Sequence, residues 1–375
     1  MKLLVISAAP LIPATDGWKA YGPYVKEMEL WAKYADSVSF CCPVWSSDRN
    51  LLVSDIPFAI ANVIPLKEFD ITSFSQILRT IKVVLINLFI IAKAFRSADH
   101  IHFRCPCNIG LLGCLVQIFF PNTPKTAKYA GNWDPKAKQP LSYRLQKWIL
   151  STTFLTQNMQ VLVYGEWEGS SRNIKPFFTA SYRESEKGKE KSDLRQVQDS
   201  IRFLFVGTLS VGKRPLYAVQ LVERLLHLGY PVCLDLYGEG KERPVLESYI
   251  KNKGLEGNIV LYGNQTAETV KTAYQQSHFV LLPSKSEGWP KVVAEAMFWG
   301  CVPVATPVSC VSYMLDLGNR GIVLTLDEDS DVKQLSACIN DAENYSVKAE
   351  KALHWSRKYT LDYFEEEIRV LLNGE

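Results

Sequence analysis

The chain alternates between short apolar runs and longer segments whose apolar residues recur every three or four positions. A short apolar run bounded by turn residues is typical of a strand buried on both faces, and the longer period is typical of a helix. The runs predict strands at 1–7, 37–43, 100–103, 126–130, 161–164, 201–206, 232–237, 258–262, 278–282 and 302–305. The segments between several of these strands predict helices at 24–34, 216–228, 266–276 and 290–299. This alternation predicts an α/β protein with parallel sheets.

Length and one charged segment predict two domains. A chain of 375 residues is too long for one ordinary domain. Residues 183–193 are charged or small and cannot contribute to a core, which places the domain junction near 180–200. We therefore expect a first domain, a charged linker, a second domain and a C-terminal helical segment, at 1–185, 186–200, 201–345 and 346–375.

Composition narrows the class of protein further. A net charge of +3, without a long basic run or an RNA-binding motif, argues against a nucleic-acid partner. Nine cysteines, scattered through apolar runs, favour reduced thiols in the cytoplasm. No cysteine pair has further ligands at metal-binding spacing, so we expect no metal site. The apolar run at the N-terminus is too short for a signal peptide and fits a first strand better.

Residues 278–306 combine a strand, a turn, a helix and a second strand with two carboxylates. Pro290 suits a first helical position, and Gly300 suits the position that follows a helix. Glu287 therefore falls in the turn and Glu295 on the helix. Ligands of parallel sheets bind outside the carboxyl ends of the strands, where Glu287 is predicted to lie. The free N–H groups that begin the helix suit a phosphate at the same place.

This segment resembles the donor site of retaining glycosyltransferases of the two-Rossmann-domain type, specifically glycosyltransferase family 4 (group 1). The family's motif elements are all present, as Pro283-Ser284, Glu287-Gly288, Glu295-Ala296-Met297 and Gly300 followed by Val302-Pro303-Val304. The resemblance is close here, extends in outline over 201–325 and covers the first half only in general layout. It implies the GT-B fold, in which two Rossmann-like domains with parallel sheets face each other across a cleft. It also implies a metal-independent retaining transferase that needs no cofactor and takes a nucleotide-diphosphate-sugar as donor.

The resemblance also assigns a cation to the donor diphosphate. Lys213 follows the first strand of the second domain, where the family has the lysine that holds the diphosphate. A fixed cation there stabilises the charge that develops on the leaving group, although an exposed loop lysine is the alternative. The family usually has an arginine directly after the glycine at position 207, where this chain has Thr208. Arg214 is the candidate to supply that charge. If it does not, the diphosphate is held less strongly.

The two glutamates acquire different roles from the resemblance. Glu295 is implied to accept hydrogen bonds from the ribose hydroxyls, and Glu287 to lie near the transferred sugar, because an ionised carboxylate suits vicinal hydroxyls. No carboxylate nucleophile is generally accepted in this family, so we assign Glu287 a positioning and electrostatic role in front-face transfer. The other donor-binding candidates are backbone or turn positions, namely Gly207, Thr208, Gly238, Gly263, Ser286, Gly288, Trp289 and Pro290. Gly263 is placed near the base, although glycine at a strand end is also ordinary turn chemistry.

The first domain lacks the histidine that family members commonly carry after a strand facing the donor. The corresponding place holds Asn132 and Asp134, and either could hold a sugar hydroxyl. His102 on the preceding strand is a further candidate, although a lone histidine in an apolar run is more often a core residue. Gly17 and Arg104 complete the expected acceptor side.

Residues 77–95 form an apolar segment interrupted by cations. At 100° per residue, Arg79, Lys82, Lys93 and Arg96 fall within an arc of about 100°. The segment is too short and too charged to span a membrane. Two interpretations remain: a core helix with a solvated basic edge, or an interfacial helix that brings the enzyme to anionic lipid and to a lipid-linked acceptor.

The sequence therefore favours a cytoplasmic retaining glycosyltransferase that acts on a growing glycan or a lipid-linked acceptor. Bacterial surface polysaccharide biosynthesis is the expected context, with a peripheral position on the inner face of the cell membrane. A sugar-nucleotide epimerase of the same fold and a non-catalytic glycan- or nucleotide-binding protein are the alternatives. Residues 354–372 predict one terminal helix, which the resemblance would return to the first domain and which an ordinary capping helix explains equally well.

Overall fold

The computed structural model describes residues 1–49, 51–69, 77–188, 195 and 200–374. It divides into two compact units, one formed by Met1–Phe177 with Glu365–Glu375 and the other by Phe178–Phe364. Most of the predicted linker 186–200 lies outside the described residues, since these omit 189–194 and 196–199.

A seven-stranded parallel sheet forms the centre of the first unit. The strands of this unit are β1 (Lys2–Ile6), β2 (Ile12–Ala14), β3 (Gly17–Tyr21), β4 (Ser37–Cys42), β5 (Val53–Asp55), β6 (Ile60–Pro65), β7 (His100–Cys105), β8 (Lys125–Tyr129), β9 (Met159–Tyr164) and β10 (Ile174–Phe177). The order across the sheet is β10-β9-β8-β7-β1-β4-β6. The edge strands β6 and β10 are absent from the sequence prediction because most of their residues are exposed or only partly buried and polar residues interrupt their apolar runs.

The sequence predicts neither a strand nor a helix between residues 7 and 24, but the structure has two short strands there. β2, β3 and β5 form a small antiparallel sheet, and Gly17 begins β3 directly after a tight turn. Gly17 has a φ of 142°, a conformation that glycine adopts without strain. Its role is therefore explained by the hairpin turn.

The helices of the first unit cover both faces of the parallel sheet. They are α1 (Gly22–Ala32), α2 (Ile77–Phe95), α3 (Asn108–Val116) and α4 (Leu141–Ser151), and a 3₁₀ turn at Gln117–Phe119 extends α3. α2, α3 and α4 pack side by side on one face, where their buried residues share a core with alternate residues of β1, β7, β8 and β9. α1 covers the other face, where the centroids of the Trp31 and His102 rings lie 3.9 Å apart.

The second unit contains a six-stranded parallel sheet. Its strands are β11 (Ile201–Val206), β12 (Val232–Tyr237), β13 (Ile259–Gly263), β14 (Phe279–Leu282), β15 (Val302–Ala305) and β16 (Ile322–Val323). The order β13-β12-β11-β14-β15-β16 means that the chain builds outward from β11 in one direction and then from β14 in the other. Loops that leave such a pair of central strands diverge and open a crevice, so the β11–β14 boundary is the expected ligand site.

The second unit also contains most of the C-terminal helices. They are α5 (Pro215–His227), α6 (Arg243–Asn252), α7 (Ala267–Gln276), α8 (Lys291–Phe298), α9 (Val311–Met314), α10 (Glu328–Asn340) and α11 (Ala342–Ser356). The predicted single helix over 354–372 is wrong, because α11 ends at Ser356 and α12 (Leu361–Asn373) begins after a break. The Thr360 hydroxyl accepts the N–H of Tyr363 at 3.2 Å and so caps the start of α12. α12 begins in the second unit and ends in the first.

A buried aspartate ties three elements of the second unit together. Asp331 on α10 is fully buried and accepts the Tyr217 hydroxyl at 2.6 Å, together with the Thr325 N–H at 2.8 Å and the Leu326 N–H at 3.0 Å. Tyr217 lies in the first turn of α5, and Thr325 follows β16. Asp331 therefore fixes the start of α5, directly after the loop that carries Lys213.

We expect Asp331→Ala to lower the free energy of unfolding of the second unit by about 3 kcal/mol, because it leaves several buried donors without an acceptor. Asp329→Ala is the matched control on the same helix. Asp329 is 79% exposed and pairs with Arg224, so its loss should cost less than about 1 kcal/mol. Urea denaturation at neutral pH measures both values, and equal effects of the two variants would contradict the role of Asp331.

Candidate functional site

The carboxyl ends of β11, β12 and β13 form a continuous backbone surface. The Gly207 N–H donates to the Tyr237 carbonyl at 2.9 Å, and the Gly238 N–H donates to the Gly263 carbonyl at 2.8 Å. These bonds continue the sheet ladder one residue beyond the strand ends. The three glycines that the sequence assigned to the donor, Gly207, Gly238 and Gly263, therefore lie side by side.

Glycine is required at this edge because the backbones approach closely. A Cβ atom on Gly238 would lie 2.0 Å from the Gly207 carbonyl oxygen, and one on Gly240 would lie 2.2 Å from the Leu209 carbonyl oxygen. Both distances are far inside van der Waals contact, so any side chain would push the β11 and β12 loops apart. Backbone atoms therefore form this edge of the crevice.

The loop between β11 and α5 places Lys213 at the crevice. The Lys213 N–H donates to the Ser210 carbonyl at 2.9 Å, and Arg214 adopts a left-handed conformation with φ 50° before α5 begins at Pro215. The Lys285 N–H, which belongs to the loop after β14, donates to the Gly212 carbonyl at 2.8 Å. The loops that follow the two central strands are thus joined to each other.

Lys213 and Glu287 form an ion pair at this junction. The Lys213 Nζ lies 2.5 Å from the Glu287 Oε1, and the side chains are 29% and 9% exposed, respectively. Glu287 is thus largely enclosed, while the Lys213 side chain remains partly accessible to solvent. A polyanion arriving in the crevice could therefore reach the lysine, and the carboxylate it displaced could accept hydroxyl groups.

Arg214 and Thr208 have different environments. The Arg214 Nη1 donates to the Pro283 carbonyl at 3.1 Å, which brings its guanidinium to the end of β14 beside the Lys213 loop. Thr208 is exposed at the end of β11. Arg214 is therefore a further cation near the crevice, on the same loop as Lys213.

The turn between β14 and α8 contains residues with distinct tasks. Ser286 is exposed, whereas Trp289 is buried and its ring packs 6.1 Å from Trp355. The indole of Trp289 is therefore a core group, and only its backbone remains for a donor. The Gly288 carbonyl accepts a hydrogen bond from the Ser309 hydroxyl at 3.1 Å, which helps to fix the turn. Pro290 occupies the position before α8, so the helix begins at Lys291, one residue later than predicted.

Glu295 on α8 is held by two residues that sequence analysis did not identify. Its Oε1 accepts the Ser181 hydroxyl at 2.5 Å, and its Oε2 accepts the Tyr274 hydroxyl at 3.0 Å. Burial and the nearby Glu295 carboxylate raise the pKa of Tyr274 well above its usual value, which keeps this hydroxyl a donor. Ser181 lies next to a charged segment and Tyr274 in an ordinary amphipathic helix, so neither carried a sequence signal. Each carboxylate oxygen retains a further lone pair for a ligand.

In the first unit, Asn132 and Asp134 shape the loop after β8. The Asn132 Oδ1 accepts the Asp134 N–H at 2.8 Å, and the Asp134 Oδ1 accepts the Lys136 N–H at 2.8 Å. Such side-chain bonds to the next-but-one residue are typical of turns. The loop borders a cavity of about 390 Å³ whose lining includes Trp133, Trp167, Arg144 and Lys147.

His102 occupies the core of the first unit. It is fully buried, and its Nδ1 lies 2.8 Å from the Thr126 hydroxyl. Burial and the nearby Arg104 lower the pKa of His102 well below its usual value, so the ring is neutral at physiological pH. This environment fits the alternative of a core histidine and leaves no side-chain surface for an acceptor.

Arg104 belongs to a buried charge cluster with Glu27 and Lys128. Glu27 on α1 pairs with Arg104 on β7 and, at 2.9 Å, with the fully buried Lys128 on β8. Burial by itself would raise the pKa of Glu27, but Arg104 and Lys128 together lower it to about 2. The cluster joins α1 to the sheet, which explains why Arg104 is present independently of any acceptor.

The Glu27 cluster predicts acid sensitivity. A carboxyl whose folded pKa lies below its unfolded value contributes stability that is present above the unfolded value and is lost as pH falls through the folded value. For Glu27 that window runs from pH 4.5 down to about 2, and the contribution is about 3 kcal/mol.

We therefore expect Glu27→Gln to be less stable than the wild type at neutral pH and to lose less further stability as the pH falls from 4.5 to 2. Glu29→Gln, an exposed position on the same helix, is the control. Urea denaturation at several pH values, followed by circular dichroism, measures the difference. If the free energy of unfolding changed equally with pH in Glu27→Gln and in the wild type, Glu27 would not be the source of the acid sensitivity.

Comparison with known sequences finds a family that part of the chain resembles. Residues 186–358 match the family model described as glycosyl transferases group 1. The alpha-D-kanosaminyltransferase of Streptomyces kanamyceticus is 25% identical over 146 residues, which is 38% of this chain and 38% of that protein. An uncharacterized glycosyltransferase of Methanocaldococcus jannaschii is 30% identical over 124 residues, or 32% of each chain. The chain thus spans less than two fifths of the length of the curated relatives that it matches.

Solved structures resemble the whole chain. The apo form of the lipopolysaccharide outer core galactosyltransferase WaaB has a TM-score of 0.70 at 15% identity and covers 100% of this chain and 99% of its own. Anabaena HepE in complex with UDP has a TM-score of 0.66 at 14% identity, with 100% and 99% covered. At these identities the likeness shows the fold alone. The chain therefore has the GT-B fold, with two Rossmann-like domains built on parallel sheets, and residues 186–358 resemble the glycosyl transferases group 1 domain.

Proposed function

We propose that this protein is a retaining glycosyltransferase of family 4 that transfers a sugar from a nucleotide-diphosphate-sugar to a growing glycan or a lipid-linked acceptor. The observation that carries the proposal is the contact between Lys213 and Glu287 where the β11 and β14 loops meet. The match of residues 186–358 and the fold shared with a UDP-bound structure support it. The fold shared with WaaB and with WaaG, a glycosyltransferase involved in lipopolysaccharide biosynthesis, suggests bacterial surface polysaccharide as the context.

In this proposal the cations stabilise the leaving group. The diphosphate replaces Glu287 as the partner of Lys213, and Arg214 adds a second positive charge from the same loop. Negative charge grows on the diphosphate as the glycosidic bond breaks, so preplaced cations stabilise the transition state more than the ground state. The two side chains would serve the purpose that a divalent cation serves in other transferases, and we propose a metal-independent reaction.

The carboxylates hold the donor's hydroxyl groups. Once Lys213 turns to the diphosphate, Glu287 accepts hydrogen bonds from the transferred sugar, and its low exposure strengthens those bonds. Glu295 accepts the ribose hydroxyls with its remaining lone pairs, while Ser181 and Tyr274 fix its orientation. The backbone at Gly263 lies beside the base, and the amides from Gly288 to the start of α8 point to the phosphates.

The proposed chemistry is transfer on one face of the sugar. The bond between the anomeric carbon and the diphosphate oxygen breaks, and the acceptor oxygen forms its bond from the same side. The acceptor proton passes to the departing phosphate oxygen, so no protein nucleophile is required. Glu287 thereby positions the sugar and stabilises positive charge on the ring without forming a covalent bond.

The first unit supplies the acceptor side in this proposal. Asp134 is half-buried and uses one oxygen for the Lys136 N–H, so its carboxylate retains acceptor capacity for a sugar hydroxyl. Trp167 lines the adjacent cavity and is only half-buried, and an indole ring offers a flat apolar surface on which a sugar ring can lie. We propose that the enzyme works in the cytoplasm, at the inner face of the cell membrane.

We expect Lys213→Ala to lower the rate of transfer by about 10²- to 10³-fold while the chain stays folded, because the leaving diphosphate loses its nearest cation. Lys285→Ala is the matched control, since Lys285 is an exposed lysine in the adjoining loop. Without a known acceptor, hydrolytic release of nucleoside diphosphate from UDP-, GDP-, ADP- and TDP-sugars measures the rate at which the same glycosidic bond breaks, and Lys213→Ala should slow it likewise. Equal rates for the two variants would contradict the assignment of Lys213.

We expect Glu287→Gln to reduce transfer strongly, whereas Tyr274→Phe should mainly weaken donor binding, because Tyr274 acts only through Glu295. Thermal stabilisation by each nucleotide sugar measures binding, since a ligand of the folded state raises the melting temperature. Wild-type transfer by a folded Glu287→Ala variant would favour a non-catalytic binding protein. An epimerised nucleotide sugar formed without acceptor would favour the epimerase.

A further inference from the structure

The helices on one face of the first unit carry positive charge only. Residues 77–96, 108–120 and 141–155, which contain α2, α3 and α4, include no aspartate or glutamate. Their charged residues are Arg79, Lys82, Lys93, Arg96, Arg144 and Lys147. The whole chain has 39 acidic and 42 basic residues, so this segregation is not a property of its overall composition. We call this layer the three-helix face.

Large apolar side chains project from the solvent side of α2. Ile81, Leu85 and Phe89 are 49%, 61% and 72% exposed. At 100° per residue these three lie, with Lys82 and Lys93, within an arc of about 120°. The opposite arc holds Ile91, Ala94 and Phe95, which are buried against the sheet. The interpretation as a core helix with a solvated basic edge is therefore incomplete, because apolar and basic residues share the exposed face. The Arg79 side chain lies outside the described residues.

The neighbouring helices continue this pattern. Phe119, in the 3₁₀ turn that follows α3, is 83% exposed, and a groove of about 670 Å³ between α2 and α3 is lined by Leu88, Phe89, Ala92, Arg96, Leu115 and Phe119. On α4, Leu141, Leu145 and Trp148 recur at helical spacing and are 78%, 43% and 61% exposed. Since α3 packs against both α2 and α4, the exposed groups belong to one continuous layer.

We propose that the three-helix face docks the protein on the surface of an anionic lipid membrane. Phe89, Phe119 and Trp148 would enter the boundary between headgroups and acyl chains, and Lys82, Lys93 and Arg96 would contact lipid phosphates. Among the described residues no helix is long and apolar enough to cross a membrane. The face thus has the two signals that stable peripheral binding requires, apolar area and a basic cluster.

The charge pattern selects lipid over a second copy of the chain as the occupant. Two copies that met through this face would bring cations against cations, with no carboxylate in the layer to pair with them. An anionic bilayer neutralises the same cations and buries the apolar side chains between them. The proposal extends the membrane location suggested above to a defined surface, and it does not depend on the sugar chemistry.

Flotation of the full-length protein with vesicles tests the proposal. We expect binding to vesicles of phosphatidylcholine with 30 mole per cent phosphatidylglycerol at low salt, and much weaker binding to phosphatidylcholine alone. Lys82→Gln/Lys93→Gln/Arg96→Gln should reduce binding on the order of 100-fold, at about fivefold for each cation. Phe89→Ser/Phe119→Ser should reduce it by at least roughly tenfold on both vesicle types.

Matched controls come from exposed positions of the second unit. Leu228→Ser removes a leucine that is 61% exposed, and Lys241→Gln/Lys251→Gln/Lys333→Gln removes three exposed cations. Both should bind vesicles like the wild type. Donor-induced thermal stabilisation should be unchanged in every variant, which separates failure of docking from failure of the proposed sugar transfer.

Three results would overturn the proposal. The first is wild-type protein that does not float with anionic vesicles at low salt. The second is equal loss of binding in the second-unit controls, which would indicate non-specific attraction. The third is a concentration-dependent dimer in solution that Phe89→Ser/Phe119→Ser dissociates, in protein that ignores vesicles, since this would make the face an interface between copies.

Discussion

The second unit depends on the close approach of backbones where β11 and β12 end. The Gly207 carbonyl occupies the place that a Cβ of Gly238 would need, and the Leu209 carbonyl occupies that of Gly240. This contact fixes the course of the Lys213 loop, and the hydrogen bond from Lys285 to the Gly212 carbonyl then joins it to the loop after β14. The ion pair between Lys213 and Glu287 is a consequence: two residues 74 positions apart meet because their loops leave adjacent central strands.

The sequence predicted much of this arrangement because the information was local. Continuous apolar runs identified the central strands, and the Pro283-to-Gly300 pattern placed Glu287 and Glu295 in a turn and on a helix, as found. The edge strands β6 and β10 were not predicted, because strands that are not buried on both faces have a mixed composition. The break before α12 was not predicted, because Trp355, Tyr359 and Tyr363 keep helical spacing across it. In the structure these three residues form an aromatic cluster with Phe178.

The contacts that hold Glu295 could not be predicted for a different reason. Ser181 is 114 residues away in the chain, and nothing in its neighbours distinguishes it from other small residues of a charged segment. Lys128 and Arg104 likewise appear in apolar runs as unexplained charges, and only the sheet order shows that both face Glu27 on α1. Partners separated by many residues are determined by packing, so a single sequence identifies one member of each pair at most.

Charge is handled in opposite ways on the two faces of the first unit's sheet. Beneath α1, the fully buried Lys128 and the partly buried Arg104 both pair with the single carboxylate of Glu27, since a buried cation without a partner would cost several kcal/mol (roughly 3–5). On the three-helix face Lys82, Lys93 and Arg96 are exposed to solvent, where they need no partner, and the apolar side chains beside them remain unburied. A folded domain gains nothing from exposing Phe89 and Phe119 together. Their exposure next to unpaired basic residues is therefore better explained by an anionic apolar phase outside the protein than by the stability of the fold itself.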